Sequence, residues 1–354
     1  MTGKKLRAAI LDTCFYVPEE IITNEFFEGL TLRDDKTGEL TLKTSNEWIT
    51  QMMGVKERRK SAPDEYASDM AVKAANKMFE NSHLTPADLD GIVVATSTPD
   101  RGFPPTANLL QKGIRAERDG QEFRCRTDIF ADDLGSACAS FLAAVDYGKC
   151  RIESGDARYV LVMASETLTK IVDYTNSNCP IFGDGAAGFI LGPEVEGRGF
   201  LSVVRKNDPY RDINSIYKGI GKWAGPRKEI IEPGDGFNNP STLRMPHGPR
   251  VMKTAIREMV SAIKQAVENA GWNLSEVDLA ICHQANIRIS EGIQAQLPSL
   301  QIYNNIHRYG NMSGVTCPAC FHEAKQEGLV KDGSKIVFAA FGSGEKTYSF
   351  THQF

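Results

Sequence analysis

The chain alternates short, unbroken apolar runs with stretches of helical periodicity. Residues 8–11 predict a first strand. Residues 91–96 and 159–164 are apolar throughout, the pattern of strands buried on both faces. Residues 279–282 and 336–340 repeat that pattern. Residues 127–131 predict a short strand, and 68–79 a helix. Residues 259–270 predict a second helix, closed by Gly271. Thr85 before Pro86 reads as a cap followed by proline at the first helical position, and residues 274–278 form a second capped turn. Residues 31–43 are polar around Asp35-Lys36-Thr37-Gly38 and predict an exposed hairpin or loop; Ser45 or Asn46 then caps a helix.

Laid in order, these elements occur twice. A helix, a capped turn and an apolar strand lead to Asp90 in one series and to Asp278 in the other. In the first half Cys138 precedes a helix, then Ser154-Gly155-Asp156-Ala157-Arg158 and a strand. In the second Asn311 precedes a helix, then Lys331-Asp332-Gly333-Ser334-Lys335 and a strand. Each half ends in a hairpin-like strand, 187–191 and 346–350. Repetition at half the chain length predicts an internal duplication of one βαβαβ-type unit, with halves at 1–192 and 193–354. Two such halves pack sheet to sheet, helices between and outside, and their strand ends converge on one site. Residues 207–246, rich in Gly, Pro and Asn and without period, read as a long excursion over that site.

Composition narrows the class. The chain has 354 residues, 41% hydrophobic and 24% charged, as expected of a globular protein too large for one simple core. A net charge of −4 excludes a general polyanion binder, so no nucleic-acid partner is expected and any basic docking site is local. No stretch has the length of a membrane span, and the apolar run at 8–11 is too short for a signal-peptide core, so no membrane insertion is expected. The eight cysteines lack the spacing of a secreted framework, which favours a reducing cytoplasm. Cys317-Pro318-Ala319-Cys320 has a redox spacing but falls inside a helix rather than at its start. No metal site is expected.

The candidate chemistry sits at strand ends and helix starts, where α/β folds place it. Cys138 lies in Leu134-Gly135-Ser136-Ala137-Cys138-Ala139-Ser140, at a strand-to-helix turn among small residues. A helix N-terminus favours a thiolate there. His283 closes the strand Ile281-Cys282-His283, and Asn311 follows Arg308-Tyr309-Gly310. Together the three suit thioester chemistry: the thiolate takes an acyl group, and imidazole and amide N–H groups donate to one carbonyl oxygen as it becomes an enolate. Phe341-Gly342-Ser343-Gly344 supplies glycines that let a backbone N–H reach an oxyanion. The expected oxyanion hole is the backbone N–H of Cys138 and of Gly344.

With these motifs the chain resembles the β-ketoacyl-acyl-carrier-protein synthase III enzymes of the thiolase superfamily. The likeness runs through Thr44-Ser45-Asn46-Glu47-Trp48-Ile49, Phe103-Pro104, Ala137-Cys138-Ala139, Phe182-Gly183-Asp184-Gly185-Ala186, His283-Gln284-Ala285-Asn286-Ile287-Arg288, Arg308-Tyr309-Gly310-Asn311 and the glycine loop. It implies a thiolase-like α/β fold, two βαβαβ-type halves in an α/β/α/β/α arrangement. It also implies a homodimer paired through the N-terminal halves, with Phe103 near the partner's pocket. Cys138 is then acylated, and His283 and Asn311 promote decarboxylation of a malonyl thioester whose enolate attacks the acyl group. No tightly bound cofactor is implied; the substrates are coenzyme A or phosphopantetheine thioesters, and an acyl carrier protein is the partner. Trp48, Met52, Phe103 and Asn286 are the implied substrate contacts.

Several residues depart from the family pattern or stay open. Met52 stands where the family often has an arginine against the coenzyme A adenine, and 173–180 lack a second arginine, so the acyl donor is handled differently. Glu345 either changes pocket polarity or faces solvent. Lys56-Glu57-Arg58-Arg59-Lys60 reads as a solvated face or as a contact for phosphate or an acidic partner. Arg250, Lys253, Arg257 and Lys264 share one helix face and, with Arg288, form the expected carrier-docking patch. The same triad permits transfer of the acyl group to an alcohol or amine. A third reading is a non-catalytic partner subunit, which has no need of all three residues.

Overall fold

The computed structural model describes residues 6–34, 37–194, 197–210, 216–218 and 242–354. Two sheets carry the architecture. The first contains β1 (Arg7–Tyr16), β2 (Gly91–Ala95), β3 (Phe130–Leu134), β4 (Val160–Thr167) and β5 (Asp184–Glu194) in the order β1-β5-β4-β2-β3. The second contains β6 (Gly199–Asn207), β7 (Leu279–Cys282), β8 (Lys335–Gly342) and β9 (Lys346–Gln353) in the order β6-β9-β8-β7. The four strands of the second match the first four of the first, direction for direction: two antiparallel pairs, then a parallel one. The fifth position, held by β3 in the first sheet, shrinks in the second to an isolated parallel bridge between Ala280 and Ile302.

The aspartates at 90 and 278 explain part of this likeness. Asp90 accepts from the backbone N–H groups of Arg158 and Tyr159, at 2.7 and 3.1 Å. Asp278 accepts from that of Lys335 at 2.8 Å. Each carboxylate sits just before one parallel strand and ties down the start of its neighbour, fixing register.

Eight helices are used here: α1 (Asn46–Met53), α2 (Ala67–Asn81), α3 (Thr106–Gly113), α4 (Ser140–Glu153), α5 (Gly248–Asn269), α6 (Ile287–Gln296), α7 (Ile306–Tyr309) and α8 (Thr316–Gln326). Alternation along the strands sorts them into layers. Ile92, Val94, Leu161 and Met163 face α2 and α3. Val93, Ala95, Val160 and Val162 face inward, where α4 and α8 pack between the sheets with Ile281, Ile336 and Phe338 of the second. Cys282, Val337 and Ala339 face outward to α5 and α6. The result is the five-layered thiolase-like α/β fold. In α4, nine of fourteen residues are buried, which leaves the turn at its start little freedom.

Some elements differ from expectation. The helix expected from 259 begins at Gly248, because its first three turns present apolar residues to a cavity rather than to a sheet. The basic run at 56–60 is a solvated face only in part, with Lys56 exposed. Glu57–Lys60 is a strand paired with Glu20–Thr23, and Arg58 is fully buried. Its guanidinium donates to the Ile22 carbonyl (3.1 Å), Asn24 Oδ1 (2.9 Å) and the Pro180 carbonyl (2.5 Å), and lies over the Phe27 ring. Of 207–246, Tyr217–Lys218 pairs with Leu243–Arg244; residues 211–215 and 219–241 lie outside the described residues.

Candidate active site

Cys138 sits in the 3-10 turn Ala137–Ala139 that joins β3 to α4. Ala137 adopts φ 47°, a left-handed conformation that turns the chain sharply into the helix. Gly342, at the end of β8, lets the second half close onto this turn. A Cβ there would lie 2.7 Å from the Ser136 carbonyl and 2.8 Å from the Ala139 nitrogen.

His283 follows β7, with its N–H on the Ala339 carbonyl at 2.9 Å. Its Nδ1 lies 2.6 Å from Thr316 Oγ1, at the start of α8. Its Nε2 is buried without a hydrogen bond. Burial lowers the imidazole to about 4, so it is neutral at physiological pH.

Asn311 is held from both sides. Its N–H donates to the Ile181 carbonyl at 2.7 Å and its carbonyl accepts from Gly183 at 3.1 Å. Its side-chain Oδ1 accepts from the Ser313 N–H at 2.8 Å, which leaves the amide Nδ2 as the group that faces outward. The preceding loop hangs on one carboxylate. Glu323 accepts from Asn305, Arg308 and Tyr309 at 2.8, 2.9 and 2.7 Å.

Cys138, His283 and Asn311 open on a single cavity of about 510 Å³. Its lining is mostly apolar and includes Met52, Met53, Met245, Met252 and Met259, flexible side chains that suit an acyl chain of irregular shape. Trp48, Asn286 and Arg288 also line it. Their positions follow from the seam between α1 and α6. Gly54 closes α1 with φ 79°, and a Cβ there would lie 2.4 Å from Ile287 Cβ. Ser45 caps α1 by accepting from the Trp48 N–H at 3.2 Å. Asn286 caps α6 through Oδ1, which accepts from the Arg288 N–H at 2.9 Å, and donates from Nδ2 to the Met52 carbonyl at 3.1 Å. Arg288 Nη2 reaches Met52 Sδ at 3.0 Å.

Other expected residues lie outside the cavity or sit in surroundings the sequence did not show. Burial pushes the Cys138 thiol up to about 11, against a hydrogen bond from Ser313 and one from its own amide, and the Glu166 charge pushes the same way. Desolvation at the cavity floor opposes the pull of the helix start toward the thiolate. Ser343 and Phe341 of the glycine loop line the cavity, and Gly344 is not among its lining residues. Glu345 is buried beside β6, its carbonyl accepting from the Asp208 N–H at 3.3 Å, so the solvent-facing reading fails. Phe103 is 86% exposed and lies outside its own chain's cavity. Arg250, Lys253, Arg257 and Lys264 are exposed along α5, but that helix lines the cavity through Val251, Met252, Ala255 and Met259. At about 100° per residue the two sets lie on opposite faces. Cys317 and Cys320 are buried, the latter donating to Asn305 Oδ1 at 3.0 Å.

The residues that sequence reasoning missed are Thr316, Ser313 and Glu166. Glu166 carried one signal: a carboxylate that follows the apolar run Val160–Ala164 in the same strand. Among the described residues, no group of His, Cys, Asp and Glu is arranged to hold a metal ion, and no helix is long and apolar enough to cross a membrane.

Comparison with known proteins is consistent across sequence and structure. Residues 133–209 match the family model for 3-oxoacyl-[acyl-carrier-protein] synthase III, and 267–352 its C-terminal counterpart. The β-ketoacyl-[acyl-carrier-protein] synthase III of Caldanaerobacter subterraneus is 34% identical over 344 residues, 96% of each chain. That of Clostridioides difficile is 34% identical over 342 residues, covering 96% of this chain and 95% of the relative. The crystal structure of the Thermus thermophilus enzyme superposes with a TM-score of 0.81 at 32% identity, covering 98% of this chain and 99% of the other.

Proposed function

Because the chain belongs to the 3-oxoacyl-[acyl-carrier-protein] synthase III family of condensing acyltransferases, we propose that Cys138, His283 and Asn311 are its catalytic residues. One observation carries this assignment: the three side chains, from both halves of the chain, open on the same apolar cavity with Nε2 of His283 unpartnered. Cys138 attacks an acyl thioester and keeps the acyl group, releasing the carrier thiol. A malonyl thioester then enters. Its carbonyl oxygen lies between His283 Nε2 and Asn311 Nδ2, which stabilise the enolate left when carbon dioxide departs. The enolate carbon attacks the acyl-Cys138 carbonyl, and the thiolate leaves with the new carbon–carbon bond in place.

The proposed substrates are coenzyme A or phosphopantetheine thioesters, with an acyl carrier protein as the partner that presents malonate. Arg288, at the cavity lining, is the cation placed to meet its phosphate. The exposed Phe103 fits contact with the pocket of a second copy, and we assign the enzyme as a cytoplasmic homodimer whose halves, 1–192 and 193–354, supply nucleophile and enolate donors respectively. The test is mass spectrometry of the enzyme after exposure to a panel of acyl-coenzyme A and acyl-carrier thioesters. Wild type is expected to gain one acyl group on Cys138, and Cys138→Ala none. Labelling that persists in the variant sinks the assignment.

A further inference from the structure

Both proposed enolate donors are held by one helix. Thr316, the first residue of α8, has its Oγ1 2.6 Å from His283 Nδ1. Glu323, further along α8, grips the segment that leads into Asn311. Its Oε2 accepts from Asn305 Nδ2 at 2.8 Å and from Arg308 Nη2 at 2.9 Å, and its Oε1 accepts from the Tyr309 hydroxyl at 2.7 Å. Cys320, between the two, donates its thiol to Asn305 Oδ1 at 3.0 Å. The spacing from 316 to 323 is nearly two helical turns, so Thr316 and Glu323 share one side of α8, about 10 Å apart along its axis. Cys317, Ala319, Cys320 and Phe321 are buried between the sheets, which makes that stretch of α8 a stiff spacer.

The segment before Asn311 needs such a grip. Gly310 has φ 65° and ψ −160°, a region adopted essentially by glycine alone, and a Cβ there would lie 2.5 Å from the Ile181 carbonyl. The helix before it, Ile306–Tyr309, is a single turn and cannot hold itself. Away from α8, the Lys56 N–H donates to the His307 carbonyl at 3.0 Å, and the Phe15 and Tyr309 rings meet edge to face at 5.1 Å. Those contacts, like the bonds of Asn311 to Ile181 and Gly183, fix the segment against the first half of the chain. His283 belongs to the second half, and α8 is the element that holds it and the Asn311 segment together. The Glu323 side chain is only 12% exposed, and its bond from the Arg308 guanidinium is of the stronger, charge-assisted kind.

We propose that Glu323 is a positioning residue of the malonyl half-reaction. Through Asn305, Arg308 and Tyr309 it sets where Asn311 Nδ2 stands relative to His283 Nε2, so that both donate to one oxygen. It touches no substrate itself. Two donors on one oxygen tolerate little error, because a hydrogen bond weakens steeply outside its narrow range of distance and angle. A misplacement of about 1 Å costs on the order of a hundredfold in rate. With Thr316 and Glu323 on the same helix, the separation of the donors is set by α8 rather than by the loops that carry them. This role rests on the proposed function, in which His283 and Asn311 stabilise the enolate.

The test compares the two half-reactions in full-length Glu323→Ala, Glu323→Gln and Asn311→Ala. Acylation of Cys138 is followed by mass, and decarboxylation of a malonyl thioester by release of carbon dioxide. A glutamine can keep all three bonds: its oxygen accepts from Asn305 and Arg308, and its amide donates to the Tyr309 oxygen. Glu323→Ala is expected to lower kcat for decarboxylation by about tenfold to a hundredfold. Its KM for the malonyl thioester and its rate of Cys138 acylation should stay within about threefold of wild type, since neither depends on the second donor. Glu323→Gln should recover most of the lost rate. A residue that served only the fold would depress both half-reactions together, and that outcome overturns the proposal. So does a Glu323→Ala enzyme that decarboxylates at the wild-type rate while Asn311→Ala is slow. A Glu323→Gln enzyme as slow as Glu323→Ala also overturns it, because charge and not the clamp would then be what matters. If Asn311→Ala itself decarboxylates at the wild-type rate, the proposed function is at fault and the role of Glu323 falls with it. If Glu323→Ala does not fold, Tyr309→Phe removes one of the three bonds and keeps the ring against Phe15. A several-fold loss confined to decarboxylation then supports the clamp, and no loss overturns it.

Discussion

The hydroxyl oxygen of Thr316 lies 2.6 Å from Nδ1 of His283, and it decides what that imidazole can do. Thr316 Oγ1 accepts from the Gln284 N–H at 3.2 Å and has two places for its own proton: the Ser313 carbonyl, 3.0 Å away, or Nδ1. A neutral imidazole has one N–H. If the Thr316 proton goes to Ser313, Nδ1 keeps the hydrogen and Nε2 is a bare acceptor. If it goes to Nδ1, Nε2 becomes a donor aimed at the cavity. Only the second arrangement stabilises an enolate oxygen.

Thr316→Val removes that control while keeping the shape. Malonyl-thioester decarboxylation is expected to fall on the order of tenfold to a hundredfold, the scale seen when a metal-ligating imidazole loses the group that orients it. Nitrogen-15 spectra should show a mixture of tautomers in the variant and Nε2–H in wild type. A variant that decarboxylates at the wild-type rate removes Thr316 from the mechanism.

The division of labour gives a second expectation. In the proposed function His283 and Asn311 act on the malonyl oxygen, whereas Cys138 forms the acyl-enzyme. His283→Ala or Asn311→Ala should each cost about a hundredfold or more in decarboxylation, the usual loss for one oxyanion donor. Acylation of Cys138 should fall far less. Equal losses in both half-reactions, measured by product release and by mass, would place the two residues in the fold of the nucleophile turn instead.

Acid sensitivity follows from buried histidines. Burial holds His283 and His322 at about 4 and His352 at about 3, so all three are neutral in the folded chain. Unfolded, each binds a proton near pH 6.5. Between those values the unfolded chain holds more protons, so stability rises with pH and is lost on acidification. Glu166, raised to about 7, works the other way; its contribution is complete below about pH 4.5 and is lost as pH rises through 7. Asp184 is also raised by burial. At pH 5.5 the histidines account for about 2.7 protons and the two acids offset at most about 2, leaving a net uptake on unfolding. Tm by scanning fluorimetry should therefore drop between pH 6.5 and 5, and a Tm that climbs over that range contradicts the account.

Arg58 is expected to matter for stability alone. Arg58→Met fills much of the volume but leaves the Ile22 and Pro180 carbonyls and Asn24 Oδ1 without their donor. Leaving a buried acceptor without its donor costs about 1–3 kcal/mol. Denaturant unfolding should register that loss. A variant as stable as wild type would mean that water replaces the guanidinium.

These residues mark where the sequence could be read. Cys138, His283 and Asn311 were legible because strand ends and helix starts can be located from periodicity, and chemistry collects there. Asp90 and Asp278 were legible because each acts on its own half in the same way. Arg58 was not: a charge run looks solvated until a second strand and the 180–183 loop close over it. For Glu345 the solvent-facing alternative fails for the same reason, since the chain after β6 packs against it. Glu166, Ser313 and Thr316 meet Cys138 and His283 only when β4 and the loop before α8 are folded, and no local pattern records that meeting. The first turns of α5 were legible from the basic stripe that begins at Arg250, but that their apolar face serves a cavity was not.

Carrier docking separates the two faces of α5. An acyl carrier protein is acidic, so a cation at the cavity mouth should speed encounter and be screened by salt. Arg288 lines the cavity, whereas Lys253, Arg257 and Lys264 point away from it, and Arg257 is paired with Glu258 at 3.0 Å. A phosphate passing into the cavity therefore meets Arg288 and not the stripe. Arg288→Glu is expected to raise KM for carrier-bound malonate several-fold at low salt, with the penalty shrinking as ionic strength rises toward 0.5 M, where the Debye length is only about 4 Å. Lys264→Glu, about one and a half turns beyond Met259, the last cavity-lining residue of α5, should leave KM for the carrier substrate within about twofold at every salt concentration. Steady-state kinetics across a salt series decides the matter. If Lys264→Glu and Arg288→Glu raise KM alike and both penalties fade with salt, the carrier spans the whole stripe and approaches across α5. If the Arg288→Glu penalty is independent of salt, the guanidinium acts inside the pocket, through its contact with Met52, and docking is governed elsewhere.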